Sequence, residues 1–405
     1  MRRSTALPVL ALACVLCGSG ADWRQFRGSD ATGVAHDETT PLEWNRDSGK
    51  NIAWTADLPG RGLSGPIVIG DRVVLTASSG YRQDRLHVLC FDSSTGEKLW
   101  ERQFWATGRT MCHPKMCVAT PTPASDGERI FAFYSSNDLV CLDLDGNLQW
   151  FRGLTYDSPN ASNSLGMASS PIVIGKTVIV QVESEGDSFA TGIDVATGIG
   201  RWKINRPRAS NWTSPAILRG ESPEKDLVLL QSGKGLTAYA PETGEEVWSF
   251  PEGCSTISST AVAADLILAP SGGLTALRLP QGSLNPEVLW KEGRLSPSTA
   301  SPIVFENHVY TVNRSGVLAC ASLADGKMRW QLRLKGPYSA TPLVAGGHLY
   351  YVNEEGTTHV VKPGETKGEI VATNELGETI LATPAAADGA LYFRSDAHLW
   401  KIGGK

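Results

Sequence analysis

The chain has 405 residues, of which 41% are hydrophobic and 20% are charged, and this composition excludes collagen-like, coiled-coil and intrinsically disordered classes. The 37 basic and 42 acidic residues give a formal charge of −5. That balance argues against nucleic acid or an anionic membrane as a partner, since both require a basic surface. Glycine (42) and tryptophan (12) are numerous, which indicates many tight turns close to large rings.

The N-terminus has the pattern of an export signal. Two arginines precede an apolar run at 6–16 that is too short to span a bilayer, and a small-residue cleavage pattern follows. We therefore expect residues 1–21 to be removed and the protein to be exported to the bacterial periplasm or the periphery of the outer membrane. Lipidation is the alternative, but neither Cys14 nor Cys17 has the residues that usually precede a lipidated cysteine. No later stretch predicts a membrane helix.

After this signal, one sequence block recurs eight times. Each block opens with a Ser/Thr-x-Pro-like sequence, continues through two β-rich runs, and ends in a Thr-Gly or Asp-Gly turn that is usually followed by Trp. Such turns allow the positive φ of tight hairpins, and successive closing Trp residues are 40 to 52 residues apart, the period of propeller blades. The sequence predicts an all-β fold, a single eight-bladed β-propeller of four-stranded blades over 51–405, after an N-terminal extension at 22–50 that acts as a cap or linker.

The closing tryptophans predict how the blades hold together. We expect each ring to wedge between neighbouring blades and to contribute about 2–3 kcal/mol. The last block has only three strands, while the strand around Trp54 has no opening block before it, so pairing of the two would close the ring. In one block Ile370 stands where Trp is expected. The predicted docking residues are Trp54, Trp100, Trp150, Trp202, Trp248, Trp290 and Trp330.

The pattern Asp-x-x-Thr-Gly-x-x-x-Trp, as in 92–100 and 194–202, resembles the tryptophan-docking repeat of the quinoprotein (PQQ-like) eight-bladed propellers. The resemblance covers nearly the whole mature chain, and residues 23–28 are similar to the start of BamB-like exported proteins of planctomycete-type bacteria. The same propeller fold occurs both in dehydrogenases and in non-enzymatic scaffolds. The resemblance implies either a monomeric, non-enzymatic envelope scaffold with protein or peptide partners and no cofactor, or a divergent oxidoreductase that uses PQQ and Ca²⁺.

The cysteines favour the scaffold. Quinoprotein alcohol dehydrogenases of this family stack the cofactor between a Trp and a disulfide of two adjacent cysteines, and this chain has no adjacent pair. Cys90, Cys141 and Cys320 share one repeat position that is elsewhere Gly or Ala, so we interpret them as filler of a tight interior site on an inner strand.

The remaining cysteines and acids leave alternatives open. Cys112 and Cys117 lie five residues apart in a loop, where an exported chain can form a disulfide; with His113 and Cys254 they are also a possible metal set, although their spacing matches no common zinc pattern. Acidic clusters near strand ends can converge on Ca²⁺ in a propeller, or they are solvated turn residues. These acids are Glu183, Glu185, Asp187, Glu354 and Glu355.

The mouth of the central channel is the predicted binding site. Loops that enter the inner strands meet there, and four of their basic residues favour an anionic ligand or an acidic peptide. The alternative is a water-filled pore mouth with ordinary loop residues, and the sequence contains no hydrolase, phosphate-loop or dinucleotide motif. The candidate residues are Arg109, His113, Lys115, Asn163, Asn211, Trp212, Arg294, Lys335, Tyr338 and Glu378.

Overall fold

The computed structural model describes residues 22–35, 39–162, 164–280, 283 and 285–404. In this part of the chain, eight antiparallel sheets follow one another as blades, and each contains four consecutive or ring-closing strands. The first strands of neighbouring blades contact each other, including those of blades 8 and 1, so they form the inner wall of a closed ring. The predicted eight-bladed propeller is confirmed. The predicted export signal lies outside the described residues.

The strands of the first four blades run from the inner wall outwards. Blade 1 has the longest strands. The bounds are β3 (Ile67–Ile69), β4 (Arg72–Ser79), β5 (Arg85–Asp92) and β6 (Lys98–Trp105) in blade 1; β7 (Ala124–Ser125), β8 (Arg129–Phe133), β9 (Asp138–Asp143) and β10 (Leu148–Gly153) in blade 2; β11 (Ile172–Ile174), β12 (Thr177–Val182), β13 (Phe189–Asp194) and β14 (Gly200–Asn205) in blade 3; and β15 (Ala216–Leu218), β16 (Leu227–Ser232), β17 (Gly235–Tyr239) and β18 (Glu246–Phe250) in blade 4.

The other four blades follow the same plan. A short 3₁₀ helix (Pro223–Lys225) precedes β16 in blade 4. The bounds are β19 (Ala261–Ala263), β20 (Leu266–Ala269), β21 (Leu274–Arg278) and β22 (Glu287–Glu292) in blade 5; β23 (Ile303–Phe305), β24 (His308–Val312), β25 (Val317–Ser322) and β26 (Met328–Arg333) in blade 6; β27 (Leu343–Ala345), β28 (His348–Val352), β29 (Thr357–Lys362) and β30 (Glu369–Glu375), with β1 (Val34–Ala35) added, in blade 7; and β31 (Ala385–Ala387), β32 (Ala390–Arg394), β33 (His398–Gly403) and β2 (Ile52–Asp57) in blade 8.

Blade 8 closes the ring by joining the two ends of the chain. Its outermost strand β2 pairs antiparallel with β33, and Trp54 lies opposite Lys401. The predicted closure by the N-terminal strand is therefore confirmed. The pairing completes blade 8 as a four-stranded sheet like the other blades.

The hydrophobic core lies in the layers between neighbouring sheets. Second strands are covered on both faces, which explains their continuous β-branched runs; all six residues of β12, for example, are buried. Outer strands such as β14 alternate between exposed and buried residues. One cluster joins Ile172 and Ile179 of blade 3 to Ile217 and Val228 of blade 4, so each blade is stabilised by its neighbours.

The closing tryptophans dock as predicted. In six of the seven, the indole Nε1 donates to a carbonyl in the outer turn of the next blade and the ring lies on a glycine of that turn, whereas the buried Nε1 of Trp248 has no partner among the described residues. A Cβ on Gly244 would lie 2.6 Å from the ring of Trp202, so the turn glycine makes room for the ring as well as providing positive φ. The bonds join Trp54 to Ser93, Trp100 to Leu144, Trp150 to Val195, Trp202 to Pro241, Trp290 to Leu323 and Trp330 to Gly364; Trp248 is also buried.

The missing tryptophan has a structural reason. By strand register Ala372, and not Ile370, takes the Trp position, because it lies opposite Val360 as Trp330 lies opposite Cys320. The next blade is blade 8, whose third and fourth strands are the two ends of the chain and share no connecting turn. A tryptophan indole at the position of Ala372 would therefore have no turn glycine to pack on.

Docking of the tryptophans also explains the repeat position that Cys, Gly or Ala occupies. Cys90, Cys141 and Cys320 each lie opposite a docking Trp, as Gly192 and Ala238 do in their blades. The position is buried but belongs to the third strand, so the predicted placement on an inner strand is wrong. Burial raises the pKa of the Cys90 and Cys141 thiols to about 12, which keeps them protonated and suits a purely packing role.

Candidate functional site

The first part of the N-terminal extension, residues 22–35, lies in the central channel and is called the plug below. Its backbone and side chains bond to the inner strands of different blades, or to the residues that open them, and β1 adds in parallel to β27. Such contacts satisfy the free polar groups of a strand edge that would otherwise face the channel. The bonds, 2.8 to 3.2 Å long, join Trp23 to Val68, Arg24 to Ser125, Gln25 to Val173, Arg27 to Thr260 and Pro302, and Gly33 to Val344.

Arg27 anchors the plug at the centre of the ring. Its buried guanidinium donates to the carbonyls of Thr260 and Pro302, both at 3.0 Å, and burial lowers the pKa of Arg27 to about 10. It stays charged at neutral pH and is solvated by backbone dipoles. A tight turn with positive φ at Arg27 and Gly28 brings Gly28 beneath the ring of Trp23, where a larger residue would collide.

A belt of seven hydroxyl groups surrounds the channel just before the inner strands begin. Each belongs to the residue two positions before the inner strand of its blade, and each accepts the backbone N–H of the equivalent residue in the preceding blade at 2.8 to 3.2 Å. Gly65 takes this position in blade 1, where a Cβ would lie 2.7 Å from the Thr383 carbonyl. The hydroxyl belt consists of Thr122, Ser170, Ser214, Ser259, Ser301, Thr341 and Thr383.

The plug and the hydroxyl belt enclose a cavity of about 370 Å³ at the channel mouth. All seven belt residues line it, and so does Phe26 of the plug. Apolar side chains from several loops form the rim: Leu63, Met116, Leu165, Trp212, Ile257 and Leu381. A concave, mostly apolar site with a few convergent polar groups is the usual form of a binding pocket.

One ion pair crosses the mouth of this cavity. Lys115 Nζ lies 2.8 Å from Glu354 Oε2, and Ser339 donates to the other oxygen of Glu354 at 2.7 Å. Trp212 is held by a bond from its Nε1 to the Gly166 carbonyl at 2.8 Å. The rim therefore combines a fixed aromatic ring with an ion pair that can exchange partners.

Three predicted site residues line the cavity, namely His113, Lys115 and Trp212. Arg109 is exposed on the same loop as His113, and Asn163 lies outside the described residues. The missed residues are the hydroxyl belt and the apolar rim. The repeated Ser/Thr before proline was the available signal for the belt, but it predicts only where a strand starts.

The other five predicted residues do not line the cavity. Asn211 is buried and donates to Glu183 and to the Gln231 carbonyl. Arg294 pairs with Glu292, two residues away, on the exposed surface. Lys335 is exposed, and Tyr338 is buried with its hydroxyl donating to the Lys335 carbonyl. Glu378 pairs with His398 at 2.7 Å.

The predicted acidic clusters do not converge. Glu183 forms a buried ion pair with Arg206 at 2.7 Å, and burial raises the pKa of Glu183 despite that partner. Asp187 faces Arg208 at 3.5 Å, and Glu185 accepts from Ser210. Among the described residues, no three His, Cys, Asp or Glu side chains are grouped to hold a metal ion.

All six described cysteines are free in this structure, and the disulfide between Cys112 and Cys117 stays a prediction. The Cys112 thiol lies 3.6 Å from the Thr110 carbonyl, and the Cys117 thiol lies 3.8 Å from the Thr120 hydroxyl. Burial raises the pKa of Cys112 to about 11, so it is a weak nucleophile and a weak metal ligand at neutral pH.

Comparison with known proteins assigns the chain to a family. The structure is similar to BamB from Moraxella catarrhalis (16% identity, 87% of this chain and 97% of that one, TM-score 0.64) and to a europium-containing methanol dehydrogenase (14%, 92% and 89%, 0.66). It is also similar to a quinohemoprotein alcohol dehydrogenase from Comamonas testosteroni (13%, 95% and 81%, 0.70). These likenesses establish the fold alone.

A search of curated sequences finds no match. A family model described as outer membrane protein assembly factor BamB matches residues 25–249 and 283–362, and the chain therefore belongs to this family of PQQ-like propellers.

Proposed function

We propose that the protein is an exported, non-enzymatic binding scaffold of the bacterial cell envelope, and that its channel-mouth cavity holds an extended peptide segment of a partner protein. The observation that carries the proposal is the cavity itself, which is lined by Phe26 of the plug, a belt of hydroxyls and an apolar rim. The family assignment and the signal pattern at 1–21 support export. No helix in the described part of the chain has the length and hydropathy needed to cross a membrane.

The chemistry of the cavity suits a peptide. Each belt hydroxyl uses an oxygen lone pair to accept a backbone N–H and keeps its own proton to donate. A ring of O–H donors is complementary to peptide carbonyls, while the apolar rim can bury side chains. Lys115 and Glu354 at the rim can recognise charged groups of either sign. These features recognise polar backbone and apolar side chains together, as peptide-binding sites do.

The cofactor of the alternative function fits this site poorly. PQQ is a flat quinone that carries several carboxylates and needs cationic partners, and its Ca²⁺ needs several oxygen ligands. Among the cavity-lining residues the only carboxylate is Glu354, which is bonded to Lys115 and Ser339. Lys115 is also the only lysine or arginine there. We therefore propose that the protein works without PQQ, and we derive no chemical step through it.

Peptide binding tests the proposal. Peptides selected from a random library on the mature protein should lose affinity by about tenfold or more with Ile257→Asp, since the charge would enter the apolar rim. Ile199→Asp is the matched control, because Ile199 is also exposed, at 66% against 48% for Ile257, but lies in the outer turn just before β14 and does not line the cavity. Equal effects of both substitutions would contradict the cavity as the binding site.

Titration with PQQ and Ca²⁺ tests the alternative. We expect no new visible absorbance, no rise in melting temperature and no dye-linked oxidation of alcohols or sugars. Appearance of all three would replace the scaffold with a quinoprotein oxidoreductase.

A further inference from the structure

A second, smaller pocket lies where blade 8 meets blade 1, and it is called the junction pocket below. It has a volume of about 30 Å³, and a cavity needs about 10–15 Å³ to hold one water molecule. It therefore has room for a small ion or one carboxylate group. Its lining residues are Arg61, Gly62, Leu63, Thr379, Leu381, Arg394, Ser395 and Asp396.

Arg394 is the unusual member of this lining. Its side chain is 1% exposed, Nε donates to the Ser395 carbonyl, and Nη1 donates to the Thr76 carbonyl and the Ser64 hydroxyl. Nη2 is buried and has no hydrogen-bond partner among the described residues. A buried charge with an unpaired donor is costly unless a ligand completes it.

The local backbone is shaped around this guanidinium. A Cβ on Gly62 would lie 2.1 Å from Nη1 and 2.3 Å from Nη2 of Arg394, so only glycine permits the observed approach. Gly62 has no positive φ, and its absence of a side chain is therefore required by the arginine and not by the turn. The amide of Gly62 is fixed by a bond to Asp396 at 3.1 Å.

The charges of the junction pocket leave one positive charge in excess. Arg61 pairs with Asp396 at 3.2 Å, while Arg394 has no carboxylate partner. Glu378, which accepts from the lining residue Ser395, is paired with Arg46 at 3.5 Å and also bonds to His398. The nearby Cys117 is a buried thiol whose pKa is raised by burial, so it is neutral. One monovalent anion would balance these groups.

We propose that the junction pocket is an anion site, in which Arg394 binds one small monovalent anion, a halide or a carboxylate, through Nη2. The anion has two possible sources. It can be a free ion from solution, or it can be a carboxylate of the peptide in the main cavity, because both sites are lined by Leu63 and Leu381. The second source rests on the proposed function, whereas the first does not.

Bromide tests the free-ion source on the mature protein. At constant ionic strength, replacing sodium gluconate with sodium bromide should raise the melting temperature to a plateau, since binding to the folded state alone stabilises it and gluconate is too large for the pocket. The same rise should be absent in Arg394→Met and retained in Arg294→Gln, whose guanidinium pairs with Glu292 outside both sites. Crystals grown in bromide should show anomalous density beside Arg394.

Gly62→Ala keeps the proposal testable if Arg394→Met does not fold. Its methyl group must displace the guanidinium, so the bromide midpoint should move upward by about tenfold. An unchanged midpoint in this variant would contradict the assignment.

Peptides test the other source. A peptide that binds the main cavity should bind about tenfold more tightly with a free C-terminal carboxylate than as the amide, and Arg394→Met should abolish that difference. If the free carboxylate binds more tightly than the amide but bromide does not stabilise the protein, the anion comes from the partner peptide. If bromide stabilises the protein but carboxylate and amide bind equally, the anion comes from solution. If neither the bromide response nor the carboxylate–amide difference depends on Arg394, the anion site is refuted. If no peptide binds, the proposed function fails while bromide still decides the anion site.

Discussion

Trp202→Ala measures how strongly a docking tryptophan joins two blades. The ring is 9% exposed, lies against Gly244 of the next blade and donates to the Pro241 carbonyl at 2.7 Å. Burial of an aromatic side chain removes about 150–250 Å² from water, which at roughly 25 cal/mol per Å² corresponds to about 4–6 kcal/mol. Measured Trp and Phe truncations cost about 3–5 kcal/mol, so we expect the free energy of unfolding to fall by about 4 kcal/mol.

The assay is thermal and denaturant unfolding of the mature protein. A chain of this length has an unfolding entropy of about 0.8 kcal/mol/K (about 2.1 cal/mol/K per residue), so the melting temperature should fall by about 5 °C if the ring unfolds as one unit. Trp105→Ala is the control, because Trp105 is 65% exposed at the end of the outer strand β6. It should cost less than about 1 kcal/mol. Equal losses in both variants would refute the docking explanation.

A double substitution sharpens this result. Gly244→Ala alone should destabilise the protein, since its Cβ would lie 2.6 Å from the Trp202 ring and its φ is +71°. In the Trp202→Ala background the steric part of that cost should disappear, leaving only the backbone part. Strict additivity of the two substitutions would show that ring and turn do not interact.

Three further outcomes are expected. Deletion of 51–58 removes β2 and exposes the edge of β33, so the mature protein should lose cooperative melting as followed by circular dichroism. Ser214→Ala leaves the buried Ser170 N–H without its acceptor and should cost about 1–3 kcal/mol in urea unfolding, whereas the exposed Ser315→Ala should cost less than about 0.5. Partial burial would raise the pKa of Glu101, but hydrogen bonds from neighbouring side chains, Lys98 first among them, hold it at about 2. Because that pKa is below its unfolded value, the stability advantage over Glu101→Gln should be full above about pH 4.5 and disappear as the pH falls toward 2.

The architecture was predictable because it is repeated. The turn, the docking Trp and the opening proline recur in most blades, so a weak local signal becomes strong by repetition. Closure followed from the surplus strand around Trp54, which had no block of its own. The register error at Ile370 arose because the outer turn of blade 7 is two residues longer: Ala372 follows Val360 by 12 positions, whereas Trp330 follows Cys320 by 10.

The site was less predictable, since its parts do not repeat. The plug bonds to the blades through different residues, and Arg27 alone reaches two of them, so it has no periodicity that a pattern search could detect. Some loop residues that were selected for their charge or aromatic ring do not line the cavity because a neighbouring side chain pairs with them, as Glu292 does with Arg294. Others do not line it because their side chain is buried, as in Tyr338. Arg394 is the last residue of the buried strand β32, where charge is not expected, and the geometry at Gly62 is what points to it.

The N-terminal residues connect folding to binding. β2 pairs with β33 from the other end of the chain, and the plug contacts inner strands from blade 1 to blade 7. Contacts of such long range are entropically costly until the segments between them are ordered, so the plug and β2 dock stably only on a ring that already has its blades. Phe26 of the plug lines the cavity. The proposed binding site is therefore complete only in the closed ring, and an incompletely folded chain would present neither the hydroxyl belt nor the cavity to a partner.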